Sequence, residues 1–409
     1  MSNSLLSPVA LTREFLRIFH NTISFAKNVN RQYDSQFAKS GASTSGKIGP
    51  ELRVRKPNKF SVRENAPINV QDVVEQYATI RCSTQKGVDF QFSSADLTLT
   101  IDEFSDRYIR PAALALASAI DYEGLSLYKD IANCVGAAGT TPGAGTAGSG
   151  AEAPAVYLNA GALLSNCTAP KEDRSVILNP AAMAATVGGL SGLFNAQQSI
   201  SDQYKKGAMG YALGFDFMED QNVNRHTCGS RAVGSTTWTS TSGDGTTLTC
   251  TATSGKTFAA GDVFTIAGVY AVNPETRKST GSLKQFVVTA DATSDGSVAL
   301  AISPALIATA GTTQTVTNVP GPAAVITFVG AAGSDYPVNM AFHKDAFTLV
   351  TADLVMPKGV DFAAQEVYDG ISVRIIRDYD INNDLFPCRI DVLYGWKTLI
   401  PEFACRIIG

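Results

Sequence analysis

Three stretches carry residues spaced as chemistry would need them. Asp378-x-Asp380-x-Asn382-x-Asp384 has the oxygen-ligand spacing of a calcium loop. Such a loop also needs glycine at its sixth position and a bidentate glutamate at its twelfth. Here those positions hold Asn383 and Arg389, which predicts a solvated turn between strands. His226 and Cys228 stand two apart, so on a strand they share a side and the imidazole could reach the thiol. No acid or amide motif marks a group to orient that imidazole. Gly143-x-Gly145-x-x-Gly148 has dinucleotide-binding spacing, which works only between a strand and a helix N-terminus. A helical pattern precedes it and Ser-Gly-Ala-Glu-Ala-Pro follows, so the stretch reads as a loop.

His20 and His343 stand alone, and no Cys/His cluster has zinc spacing. No Walker loop or nucleophile elbow occurs. The seven cysteines are scattered, odd in number and without a Cys-x-x-Cys pair. They read as reduced cytosolic thiols rather than a disulfide framework. The sequence therefore predicts no enzyme: no catalytic residue, no cofactor and no metal.

Elements rather than motifs must then carry the function. At 409 residues the chain can form two or three domains. It is 44% hydrophobic and only 17% charged, with a net charge of -4. Within residues 1–63, however, eleven cations, among them Arg13, Arg17, Lys27 and Arg31, face only Glu14, Asp34 and Glu51. That end is basic and the remainder acidic. No basic-then-apolar signal pattern opens the chain. The uncharged run 296–334 is long enough to span a bilayer, but Pro304, Gly311, Pro320, Gly321 and Pro322 break it into strands and turns, so no membrane is expected.

Ser7-Pro8 reads as an N-cap followed by a proline at the first helical position. Beyond it, Phe15, Phe19, Val29, Tyr33 and Phe37 line one face of an amphipathic helix of about thirty residues. The Gly41–Gly46 loop isolates this helix, so its stripe docks on its own body or on another chain, and a partner is the preferred expectation. From Glu51 to Leu99 the pattern alternates every second residue: Leu52/Val54, then Val88/Phe90/Phe92. This predicts an exposed β-ribbon with few core residues. Thr100 to Val135 predicts one long helix, with Thr100 and Glu103 as a capping box and Pro111 forcing a kink or a start near Arg110. At about 1.5 Å per residue it would span roughly 50 Å. Short helices and strands follow to about residue 223, with strands expected at 175–178 and 208–217. From about 224 the composition turns to Thr, Ser, Gly, Ala and Val, and seven short strands, including 313–319 and 325–329, predict a β-barrel or sandwich. Mixed α+β character returns after Met340.

That order of parts resembles the major capsid proteins of tailed bacteriophages, with the Hong Kong-97-type fold. Gly261-Asp-Val-Phe-Thr-Ile-Ala-Gly268-Val, Phe342-His-Lys-Asp-Ala-Phe347 and Leu385-Phe-Pro-Cys388-Arg-Ile-Asp-Val-Leu-Tyr394-Gly395 followed by Pro401-Glu402 are similar to the short-tailed Salmonella phage branch, which carries an inserted β-barrel. The resemblance implies an N-terminal arm (1–50), an extended ribbon with peripheral strands (51–99), a spine helix (100–136), an axial domain in two parts (137–223 and 338–409, the latter including peripheral strands) and the inserted barrel (224–337). It also implies a shell of pentamers and hexamers in the virion, assembled in the host cytoplasm with a scaffolding protein, a portal at one vertex and double-stranded DNA inside. Phe15, Phe19, Val29, Tyr33, Arg53, Arg55, Phe90 and Phe92 are the candidates for assembly contacts. The basic arm either lines the interior near DNA or docks a scaffold or neighbour, and docking is preferred because its apolar stripe outweighs its charge. Two other classes stand beside this reading: a tail or decoration subunit, and a binding module built on the Thr-rich barrel.

Overall fold

The computed structural model describes residues 8–33, 51–58, 60, 75–93, 110–144, 153–190, 209–231, 236–241, 245–368 and 371–409. It is a mixed α+β chain with few helices and many strands. Two compact units form: Met1–Arg55, Tyr77–Gly124 and Phe347–Lys397 make the first; Lys56–Gln76, Leu125–Ala346 and Thr398–Gly409 make the second.

In the first unit, helix α1 (Pro8–Thr22) ends well before the expected thirty residues. The cause is tertiary. The buried Asp121 carboxylate accepts the backbone N–H groups of Ser24 (2.7 Å) and Ala26 (2.9 Å), pulling the chain out of helical register. Strands β1 (Glu51–Arg55) and β2 (Tyr77–Arg81) pair antiparallel, from Glu51 opposite Arg81 to Arg55 opposite Tyr77. The next strand, β3 (Thr84–Ser93), departs from expectation. It pairs along its length with β21 (Leu385–Thr398), from Ser93 opposite Leu385 to Thr84 opposite Tyr394. With β18 (Phe347–Ala352), β19 (Phe362–Tyr368) and β20 (Ile371–Arg377) they form a five-stranded sheet. Its core rests on Val373, Ile375, Ile390 and Val392.

Helix α2 (Arg110–Leu125) is the described part of the expected spine; residues 100–109 lie outside the described residues. It stops at Leu125 instead of Val135, giving way to a 3-10 turn over Ser126–Asp130 and then to strand β4 (Cys134–Gly136). Its sixteen residues span about 24 Å at 1.5 Å per residue. Gly124 reads as a blemish in the sequence, but a Cβ there would lie 2.6 Å from Phe25 and 2.7 Å from Trp396. The glycine is what lets two aromatic side chains close on the helix.

In the second unit, a seven-stranded sheet runs in the order β4, β22 (Ala404–Ile408), β17 (Asp335–His343), β5 (Arg174–Leu178), β7 (Phe215–Glu219), β6 (Gly210–Ala212), with β8 (Arg225–Thr227) also pairing β17. Helices α3 (Ala153–Asn166) and α4 (Pro180–Leu190) cover it over Val156, Tyr157, Leu164 and Met183. Asn179 caps α4 through the Ala182 N–H, with Pro180 at the first position. The single strand expected near 208–217 is a hairpin, because Leu213 and Gly214 both adopt positive φ and turn β6 into β7.

The Thr-rich region is antiparallel throughout its main sheet. The order is β16 (Ile326–Phe328), β12 (Val263–Val272), β13 (Ser279–Val288), β15 (Ser297–Ser303), β10 (Thr247–Thr251), β9 (Thr237–Thr241). Trp238 N–H to Ala324 O and Ile326 N–H to Thr236 O join its first and last members, so the ladder closes on itself. Phe264, Phe286, Leu248 and Val288 fill its interior. The strand expected at 313–319 does not form. Val316 makes one isolated bridge to Ala271, and the Thr315 hydroxyl bonds the Ala305 carbonyl (2.6 Å), a local bond that competes with a ladder.

Candidate functional site

The assembly candidates separate by burial. Phe15, Phe19 and Val29 are fully buried, with α1 packed on β19 and β20 of its own unit. Phe15, Phe19 and Val29 of the stripe expected to seek a partner are thus covered within the chain, where the β19–β20 face offers α1 a sheet, and Phe37 lies outside the described residues. Tyr33 is half-buried. Arg53 and Arg55 are exposed on β1, and the Arg53 guanidinium lies 5.1 Å from the Tyr77 ring centre. Phe90 is half-buried on β3; Phe92 stands in register with Phe386, and its side chain lies outside the described residues. Among the described residues the most exposed large apolar side chains are Ile381 at 80% and Tyr211 at 74%, and sequence reasoning missed both. Ile381 was hidden inside the calcium-like spacing, and Tyr211 inside a strand read as continuous.

The calcium-like stretch is the turn between β20 and β21. Its carboxylates bond locally: Asp380 to the Asn382 N–H (3.0 Å) and the Asn383 side chain (2.7 Å), Asp384 to the Tyr379 hydroxyl (3.0 Å). Those bonds from Asn383 and Asn382 hold Asp380 below its ordinary range. Of the glycine-rich motif, Gly143 is described and approaches Thr186 of α4; Gly145 and Gly148 lie outside the described residues. His20's side chain is likewise outside them.

The His226–Cys228 pair sits inside a buried polar hub in the second unit. His226 on β8 and Cys228 just after it are both buried, and Asp262, at the turn before β12, joins them with ligand-type atoms all within 4.8 Å of one another. Asp262 is the orienting acid that the sequence did not reveal, since it lies 36 residues away. Its Oδ1 accepts from His226 Nε2 (3.1 Å) and Arg231 Nη1 (3.0 Å). Its Oδ2 accepts from the Ala259 N–H (3.0 Å) and the Gly229 N–H (3.3 Å). His226 Nδ1 meets the Tyr128 hydroxyl at 3.3 Å. Both imidazole nitrogens are therefore engaged, and neither is free to take a proton from Cys228. All three side chains are sealed from solvent, so a substrate has no approach. The arrangement joins segments; it is not shaped to turn over a substrate.

Two further side chains tie the Thr-rich strands to the seven-stranded sheet. Gln285 of β13 mimics a strand, accepting the Cys134 N–H and donating to the Cys134 carbonyl, both at 2.8 Å. This occupies the open edge of β4. Arg406 of β22 donates Nη1 to the Gly261 carbonyl at 2.6 Å, and its guanidinium lies 5.2 Å from the Tyr128 ring centre. Gly261 has φ +103, and a Cβ there would sit 3.1 Å from the His226 ring. Burial pushes the Cys134 thiol up to about 12, despite Arg406 nearby. The signal in the sequence was Arg406 itself, one cation in an otherwise apolar strand.

Residues 3–409 match the family of the P22 coat protein, gene protein 5. The chain belongs to the P22 coat protein family. As a P22-type coat protein it is a phage major capsid protein that forms the shell. Among solved structures it is similar to one from Mycobacterium phage Che8, at 12% identity and TM-score 0.50 over 94% of this chain and 90% of that one. It is also similar to the capsid of Ralstonia phage GP4 (7%, 0.47, 95% and 89%) and that of the cyanophage P-SCSP1u (11%, 0.45, 88% and 83%). At these identities the Che8 likeness speaks to the fold alone. A search of curated proteins found no match.

Proposed function

We propose that this coat protein assembles as pentamers and hexamers into a closed icosahedral shell around double-stranded DNA, on a Hong Kong-97-type fold carrying an inserted β-barrel. The family match over residues 3–409 carries the reading. The closed antiparallel ladder between β9 and β16 and its separate core support the inserted barrel. The exposed β1–β2 ribbon supports contact with a neighbouring subunit, where Arg53 and Arg55 offer charge and the half-buried Phe90 lies on adjoining β3. With Phe15, Phe19 and Val29 covered, the arm presents its charged side, including exposed Arg13, Arg17 and Lys27, to a scaffolding protein or adjacent subunit. A portal occupies one vertex, DNA contact inside is non-specific, assembly takes place in the host cytoplasm, and the subunit has no catalytic role.

Negative-stain microscopy of the purified chain, expressed with and without its scaffolding partner, tests this reading. Closed shells of uniform size with the partner and aberrant or no shells without it are expected. Tubes or rings would indicate a tail component, and a persistent monomer in both cases would remove the shell assignment.

A further inference from the structure

The buried hub holds more positive than negative charge. Arg231 and Arg406 are buried at 2% and 0% exposure, and Asp262 is the carboxylate facing them. That carboxylate already accepts four hydrogen bonds, one of them from Arg231. His226 adds no negative charge in either protonation state. Arg231 is well satisfied, since Nη2 also donates to Val329 O (2.6 Å) and Gly330 O (3.2 Å). Arg406 is not. Nη1 bonds Gly261 O, while Nε and Nη2 have no partner among the described residues. A buried donor without an acceptor is destabilising, and more so when it is charged.

The two unpartnered groups are the donors of one edge of the guanidinium, whose N–H bonds run side by side. Arg377 shows that edge in use on this chain: its Nε (3.1 Å) and Nη2 (2.8 Å) both reach one oxygen of Asp361. Arg174 shows the other way to bury a guanidinium. Its nitrogens reach the carbonyls of Pro170, Gly161 and Ala169 and the Ser165 hydroxyl. Arg406 has neither a carboxylate on that edge nor a set of carbonyls.

His226, Cys228 and Asp262 are grouped closely enough to suggest a metal ion. The charge argues the other way, because a dication would stand beside two buried guanidiniums, and both imidazole nitrogens are engaged. We propose that the Nε–Nη2 edge of Arg406 binds one small monovalent anion of halide size, at the root of the inserted strands. The ion supplies the acceptor shared by both N–H groups and cancels the surplus charge. It sits where β22, the Gly261 turn and Tyr128 converge, and so couples occupancy to the seating of the inserted strands on the sheet.

The test uses the full chain. Crystals grown in bromide should show an anomalous peak within hydrogen-bonding distance of both Arg406 Nε and Nη2. Thermal unfolding at fixed ionic strength should have a midpoint about 3 °C higher in chloride or bromide than in gluconate, saturating with halide. Arg406→Met should lose that difference. Water alone at the edge, without a bromide peak, overturns the proposal. So does a halide effect no larger than that of gluconate, or one that survives in Arg406→Met. If the variant does not fold, the bromide peak in the unaltered chain decides.

Discussion

Arg174 and Arg406 lie on interior strands of one sheet, yet Arg174 has its nitrogens met by three carbonyls and a hydroxyl, while Arg406 donates to the Gly261 carbonyl alone. Such differences depend on side chains far apart in the chain and leave little trace in a linear pattern. His226 and Cys228 were legible as a pair because a strand puts alternate residues on one side. Asp262, Arg231 and Tyr128 were not, since nothing local tells where a turn or a 3-10 segment will bring them. His343 makes a sharper case. The sequence showed a solitary histidine before a strand; the structure buries it, with Nδ1 accepting the Asp345 N–H (3.2 Å) and its ring against Phe403. Burial pulls its pKa below the ordinary 6.5, and Arg174 and Lys344 add to this, while Asp345 and Asp173 oppose it. The unfolded chain therefore takes up a proton that the folded chain resists. This contribution is complete above about pH 6.5 and is lost as pH falls below it. Urea midpoints measured downward from about pH 7 should decline less steeply in His343→Gln than in the unaltered chain. Parallel declines would show that His343 is not the group responsible.

At the scale of elements, the short strands read from the sequence at 175–178, 247–252, 298–302 and 371–377 are β5, β10, β15 and β20, each within a residue of those bounds. Helix ends were read poorly, because other elements set them. Asp121 of α2 takes the amides of Ser24 and Ala26, so α1 cannot run on, and the pairing of β4 with β22 ends the spine. The same carboxylate fastens the arm to its own unit. Hydrogen bonds to a charged acceptor contribute about 1.5–3 kcal/mol each. Asp121→Ala should therefore speed hydrogen exchange at the Ser24 and Ala26 amides by at least about tenfold, with the β20–β21 amides unchanged. Equal protection in both proteins would mean that α1 packing alone holds the arm.

For the whole molecule, the Thr-rich, charge-poor run reads as β structure, and strands β9, β10, β12, β13, β15 and β16 lie within it. Its partners were less legible. The sequence placed 84–93 in a free ribbon, but β3 is bound to a strand some three hundred residues onward. The core of the inserted strands lies wholly between Leu248 and Ile326. A fragment spanning Arg225–Ser334 should consequently fold alone and give a dispersed amide NMR spectrum. A collapsed spectrum would mean that Gln285 and Arg406, which reach across from or to the sheet, are required for folding and not only for seating.

Strand β22 occupies an interior place in the seven-stranded sheet, between β4 and β17, and β21 does the same between β3 and β20. Both come late in the chain, and both pair with strands made long before. A ribosome adding about 5–20 residues per second would release β3 and β4 well ahead of their partners. Until residues 385–408 emerge, each sheet has a gap with unpaired backbone on both sides. The contact order is correspondingly high, and high contact order slows folding. The nascent subunit thus spends its synthesis with sticky strand edges showing, which residues 385–408 cover only when they emerge.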